Sequence, residues 1–157
     1  MPSDPSSPVV IRFVQPDDYA QWKVLWDGYN AFYERDGATA LPEDVTRVTW
    51  ARFLDAEQPM HALVAEADGR LLGLAHYLFH PSTIAVAPSC YLSDLFTVEA
   101  ARGRGIGREL IEAVYGRAQA AQCARVYWQT HESNGTAQHL YNQLAERSGF
   151  IVYRKTL

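Results

Sequence analysis

Cysteine is scarce in this 157-residue chain: there are two, Cys90 and Cys123, each in or beside an apolar segment. That excludes a disulfide scaffold, and no zinc-type spacing accompanies them, so both are expected to be packed, reduced thiols. Long hydrophobic runs are missing too, and the Pro/Ser-rich, acidic start Met1 to Pro8 has no basic segment followed by an apolar stretch. No membrane span or signal peptide is therefore expected, and the chain is placed in the cytoplasm. An excess of positive charge is lacking: the formal net charge is −4. That argues against nucleic acid as a partner and is compatible with a cationic amine. Several signatures are also incomplete. Arg102-Gly103-Arg104-Gly105-Ile106-Gly107-Arg108 stops short of G-x-G-x-x-G, because position 108 is Arg. Gly-Lys-Ser/Thr of a P-loop is absent, and Ser93, Ser133 and Cys123 have no evident His–carboxylate pattern for a covalent nucleophile. The histidines are scattered, and none is assigned to a metal.

What is present is enough for one folded domain. Hydrophobic residues make up 48% and charged residues 20% of the chain, which is globular composition. Val9 to Val14 reads as a strand. Pro16-Asp17-Asp18 opens a helix whose apolar face carries Trp22, Leu25, Trp26, Tyr29, Phe32 and Tyr33 at three- and four-residue spacings. Glu43 to Asp55 reads as a second helix, with Trp50, Phe53 and Leu54 pointing inward. His61 to Ala67 and Leu71 to Phe79 flank Asp68-Gly69, a hairpin signal. Tyr91 to Val98 is a strand, Arg108 to Gln122 a helix, Arg125 to Thr130 a strand, Asn134 to Arg147 a helix and Phe150 to Thr156 a closing strand. Residues 1–8 are expected to be a loose tail, and 9–157 one α/β domain of α+β character.

The glycine-rich turn between a strand and a helix carries anion chemistry. Free N–H groups at a helix start and the helix dipole attract phosphate, glycines allow close approach, and Arg102, Arg104 and Arg108 add charge. A diphosphate is the expected ligand.

These residues resemble the GNAT N-acetyltransferases. Arg102-x-x-Gly105-x-Gly107 is similar to the family's Q/R-x-x-G-x-G/A pyrophosphate motif, and Leu95-Phe96-Thr97 stands where its splayed strand meets pantetheine. Asn134, Ala137 and Tyr141 match its N-x-x-A-x-x-x-Y helix. Val126 to Asn134 looks like the HPA-type histone or polyamine acetyltransferases, and Tyr91 to Phe96 resembles the diamine acetyltransferases.

The resemblance implies a single-domain fold with a mixed central sheet of about six to seven strands and about four helices, splayed at the acyl-CoA site. It implies acetyl-CoA as acyl donor, with Leu95, Phe96, Thr97, Arg102, Gly103, Arg104, Gly105, Ile106, Gly107, Arg108, Asn134 and Tyr141 around it. Tyr141 would protonate the leaving thiolate. Asn134 and Tyr141 are seven residues apart, so at ~100° per residue they return to within roughly 20° of one helix face.

Relatives often carry a Glu base on the strand before the motif, in the diamine enzymes at the position of Ser93. By simple alternation Tyr91, Ser93, Leu95 and Thr97 share one face and Asp94 lies on the other. The expected alternatives are a water relayed by Ser93 and Tyr91, or a carboxylate such as Glu34 or Glu132. Tyr29, Tyr33 and Glu34 are expected to meet the amine. The overall expectation is acetyl transfer to a primary amine of a small molecule such as a polyamine or an amino acid, by a homodimer. The alternatives are a protein or peptide N-acetyltransferase and a non-catalytic acyl-CoA-binding domain.

Overall fold

In a computed structural model, residues 4–157 are described. The start of the expected tail, 1–3, lies outside them. Strands β1 (Val10–Phe13), β2 (Met60–Ala67), β3 (Arg70–His80), β4 (Ser89–Thr97) and β5 (Arg125–Tyr127) form one sheet in the order β1-β2-β3-β4-β5. The first three pairings are antiparallel and β4–β5 is parallel. Helices α1 (Tyr19–Phe32) and α2 (Glu43–Leu54) follow β1, α3 (Ile106–Ala120) crosses from β4 to β5, and α4 (Gly135–Leu144) comes last.

The alternation of β2 and β3 splits their apolar side chains between two cores. Val64, Leu74 and Ala62 face Trp22, Leu25, Trp26 and Trp50 of α1 and α2. Leu63, Ala65 and Ala75 face Ile106, Leu110, Ile111 and Val114 of α3. Leu110 is fully buried, and truncation of such a side chain to Ala typically costs about 2–5 kcal/mol. The close seat of α3 depends on Gly73. A Cβ there would stand 2.9 Å from the Phe96 carbonyl oxygen and 3.1 Å from Leu110. The β2–β3 hairpin turns at Asp68 and Gly69, both with positive φ (52° and 72°), as the Asp-Gly pair requires.

Four expectations are corrected. Among the described residues the sheet has five strands, not six to seven. The expected closing strand does not form: residues 145–157 have no regular structure, and Phe150, Ile151, Val152 and Tyr153 are 90, 74, 68 and 90% exposed. An extended segment needs a sheet edge for its N–H and C=O groups, and this one lies against none among the described residues. The fifth strand stops at Tyr127 rather than Thr130. Finally, Leu54 does not point inward. It is 42% exposed, and Thr46 and Trp50 are the buried residues of α2.

Candidate active site

The turn before α3 is built by backbone. Gly103 and Gly105 have φ of 82° and 77°. A Cβ on either would meet no atom within 4 Å, so the requirement for glycine is the left-handed backbone itself. Among the described residues, no hydrogen bond uses the N–H groups of residues 103–108. They open a fifteen-residue helix and point where the helix dipole is positive. The three arginines are tied elsewhere. Arg102 Nε donates to the Thr97 carbonyl (3.4 Å), Arg104 Nη2 to the Ser7 carbonyl (3.1 Å) and Arg108 Nη2 to Gln143 Oε1. The cradle is therefore main chain, with the guanidinium groups around its rim.

Next to it the sheet splays. β4 and β5 pair only from Ser89↔Arg125 to Tyr91↔Tyr127. Beyond that rung, Leu92, Ser93 and Leu95 of β4 face Trp128, Gln129 and Tyr141 across a cleft that Tyr29 and Tyr33 of the α1 end complete. The sequence placed Ser93, Leu95, Tyr141, Tyr29 and Tyr33 at the site, and the fold brings these five to one cleft. Phe96 points away into the core, beside Gly28, and Thr97 pairs with Gly73. Asn134 caps α4: its Oδ1 accepts from the Ala137 N–H at 3.4 Å. Tyr141 meets the Trp128 ring edge-on at 5.4 Å. Burial, with a smaller contribution from the Tyr33 phenol, pushes the Tyr141 hydroxyl up to about 12. It therefore holds its proton at neutral pH.

Asp94 is where the strand departs from simple alternation. His76 pairs with Asp94 and Tyr77 with Leu92, leaving Ser93 as an extra residue. Such a bulge resets the faces. Leu92 and Leu95 both pack toward α3, while Asp94 and Phe96 turn toward α1. The expected separation of Asp94 from Tyr91 is thus corrected: the bulge puts both on the α1 side, and the Asp94 charge helps burial raise the Tyr91 phenol. His76, only 2% exposed, donates from Nδ1 to Asp94 Oδ2 at 2.9 Å. Its Nε2 accepts from the Trp22 indole at 3.0 Å. An indole can only donate, so the ring proton of His76 sits on Nδ1. The Ser93 hydroxyl donates to the same Asp94 oxygen at 3.3 Å, and Tyr29 adds a further contact. Burial pushes the Asp94 carboxyl up, but the hydrogen bonds from His76, then Tyr29 and Ser93, outweigh it and hold it below the usual range. Conversely burial, then the Asp94 charge, raises the phenols of Tyr29 and Tyr33.

Glu34 and Glu132 do not join this group. Glu34 follows α1 with φ 61° and is exposed; Glu132 is exposed, with its carbonyl accepting from Gln138 Nε2 at 3.0 Å. Neither borders the cleft. Two residues were not counted toward the site in the sequence, Asp94 because alternation set it on the other face and Arg35 because nothing pointed to it. Asp94 had one signal, a carboxylate inside an otherwise apolar strand. Arg35 had none. Its side chain folds back over Tyr29 and Tyr33, with the guanidinium carbon 5.7 and 5.4 Å from their ring centres.

A splayed sheet, a bare helix start and a tyrosine-lined cleft define the class, an acyltransferase fold built to take a CoA thioester. The comparisons give the family. Residues 22–145 match the Acetyltransferase (GNAT) family, and the chain belongs to it. It is 35% identical over 149 residues to the D-amino-acid N-acetyltransferase HPA3 of Saccharomyces cerevisiae, covering 94% of this chain and 90% of that one. It is 30% identical over 154 residues to the uncharacterized N-acetyltransferase YhfO of Bacillus subtilis, covering 91% and 94%. Among solved structures, the aminoglycoside N-acetyltransferase AAC(6')-Iy in complex with CoA superposes with a TM-score of 0.81 at 20% identity, over 96% of each chain. The chain is thus an acyltransferase. Among the described residues, no helix is long and apolar enough to cross a membrane.

Proposed function

We propose that this chain transfers the acetyl group of acetyl-CoA to a primary amine of a small molecule, an α-amino acid being the class most in keeping with its HPA3 relative. The observation that carries the reading is the cleft itself. It sets a protonated phenol, Tyr141, beside Ser93, whose hydroxyl donates to the half-buried carboxylate Asp94, within the splay of β4 and β5.

The residues present fit the donor. Free N–H groups of 103–108 would hold its pyrophosphate, and the side of β4 beyond Tyr91 that β5 leaves uncovered would receive the pantetheine arm, with Asn134 nearby. Bound there, acetyl-CoA supplies an activated acyl group with a thiolate as leaving group. Leu95 offers a backbone N–H to the acyl oxygen. Tyr141 keeps a proton on its hydroxyl for the departing sulfur, and burial ensures that the proton is there. Asp94, held below the usual carboxylate range, is a weak proton acceptor and a strong counter-ion. It attracts the ammonium and then orients the neutral amine through one remaining N–H. Ser93 and Tyr91 line the way by which the proton reaches water.

The catalytic domain is read as 9–157, working in the cytoplasm as a homodimer. The assembly is supported by the exposed run Phe150 to Tyr153, whose unpaired backbone suits the edge of a second copy. Light scattering that gives a monomer mass at tens of micromolar would overturn it. The function is tested by following thiol release from acetyl-CoA across a panel of amino acids, polyamines, aminoglycosides and N-terminal peptides. The expected result is turnover on small amines, amino acids foremost. Turnover on peptides alone would move the chain to protein acetylation, and CoA binding without turnover on any amine would leave a binding domain.

A further inference from the structure

The Tyr29–Tyr33 wall of the cleft carries an unpaired cation. Arg35 leaves the end of α1 and is half-buried. Its Nε donates to Asn30 Oδ1 at 2.7 Å, and Asn30, 4% exposed, is itself fixed by its bond to the Trp26 carbonyl at 2.9 Å. Both faces of the arrangement are thereby set: a buried amide orients the guanidinium, and two tyrosine rings lie beneath it. Among the described residues no carboxylate pairs with Arg35. The Nη nitrogens make no hydrogen bond among those residues, so a planar two-toothed donor stands ready beside the site.

We infer that Arg35 is the carboxylate anchor of the acceptor subsite, and that it selects α-amino acids over amines lacking a carboxylate. The inference rests on the small-amine reading above and deepens it. Asp94 and Arg35 flank one ring: the Tyr29 side chain contacts Asp94, and the Arg35 guanidinium lies over it. The two charges therefore stand within roughly 12 Å of each other, a ring plus a hydrogen bond on one side and the guanidinium approach on the other. The amine and carboxylate of an α-amino acid are ~3 Å apart, and one hydrogen bond of about 2.8 Å at each end brings the reach to roughly 8–9 Å. A negative group at Asp94 and a positive one at Arg35 thus present the complement of a zwitterion, whereas a polyamine would bring cations to both. Tyr29 and Tyr33 also respond to both charges, with Asp94 raising their phenols and Arg35 opposing it.

The test uses the full-length chain, with D- and L-phenylalanine and phenethylamine as acceptors that differ by one carboxylate. The readout is the ratio of kcat/KM for the better phenylalanine enantiomer to that for phenethylamine, taken within each preparation so that partial misfolding cancels. In the wild type it should exceed ten. In Arg35→Met, which keeps the stacked stem, it should fall by about 10–100-fold, mostly through KM; Arg35→Lys should recover part of the loss. A ratio near one in the wild type, or one unchanged by Arg35→Met, overturns the inference. Calorimetry with N-acetylphenylalanine and N-acetylphenethylamine decides it independently of turnover. At least tenfold tighter binding of the acid, lost in Arg35→Met, supports the anchor, and equal affinities sink it. Failure of every amine to release thiol would instead sink the transfer reading.

Discussion

On the proposed reading, the donor half and the acceptor half of this cleft are made of different material. At the donor half the working groups are main-chain N–H groups, aimed by Gly103, Gly105 and the start of α3. At the acceptor half they are side chains, Asp94, Tyr29, Tyr33 and Arg35, each aimed by another side chain: His76 and Trp22 behind Asp94, Asn30 behind Arg35. A backbone site tolerates side-chain change as long as the turn keeps its shape. A side-chain site is weakened by the loss of any one member.

Mutations can break this contrast at either end. The largest effect is expected at Tyr141→Phe, where removal of a general acid should lower kcat by roughly 10²–10⁴-fold with acetyl-CoA affinity retained. A change under about threefold, with chemistry shown to limit the rate, would give the hydroxyl a packing role. Asp94→Asn comes next. A lost counter-ion should raise the amine KM by about 10–100-fold and leave kcat less affected, whereas a fall confined to kcat would make Asp94 the base. The same variant has a pH signature in stability. The folded carboxyl is depressed, so its contribution is present above the unfolded value of about 3.9 and lost as pH falls through the folded value. Denaturation curves of wild type and Asp94→Asn should therefore converge only in acid below about pH 4. A gap unchanged down to that region would remove the ion from the account.

On the donor side Gly105→Ala forces a Cβ into the left-handed region, at about 1–2 kcal/mol, and acetyl-CoA binding should weaken roughly tenfold as the turn relaxes. The smallest effect is expected at Arg102→Ala, about two- to threefold at low ionic strength and vanishing in high salt, because an exposed rim charge is screened. A large, salt-independent loss there, with Gly105→Ala silent, would reverse the contrast between backbone and side chain.

The residues proposed for the donor half stand out in the sequence because glycine spacing and helix starts are local. Gly103, Gly105, Asn134 and Tyr141 could be found from a dozen residues around each. The order of strands and helices followed from periodicity in the same way. The acceptor half was not legible for a physical reason. One extra residue, Ser93, turns Asp94 to the opposite face, and nothing in Tyr91 to Thr97 announces where a bulge will fall. His76 and Trp22 are 54 positions apart and meet only after the sheet has formed. Phe150 to Tyr153 reads as a strand by composition and still finds no partner within this chain. Composition reports a tendency to pair, and geometry decides whether an edge is within reach.

The brief β4–β5 pairing has a kinetic consequence. Its three rungs join residues 36 positions apart, from Ser89↔Arg125 to Tyr91↔Tyr127, after the whole of α3 has been made. Contacts of that separation form late in folding, and a ladder so short opens at little cost. The amides of residues 125–127 should therefore exchange with deuterium well before those of β2 and β3, and occupation of the cleft should slow them most. The weakest seam of the sheet is then the place where the molecule breathes, and it lies directly beside the splay that would receive the acyl donor.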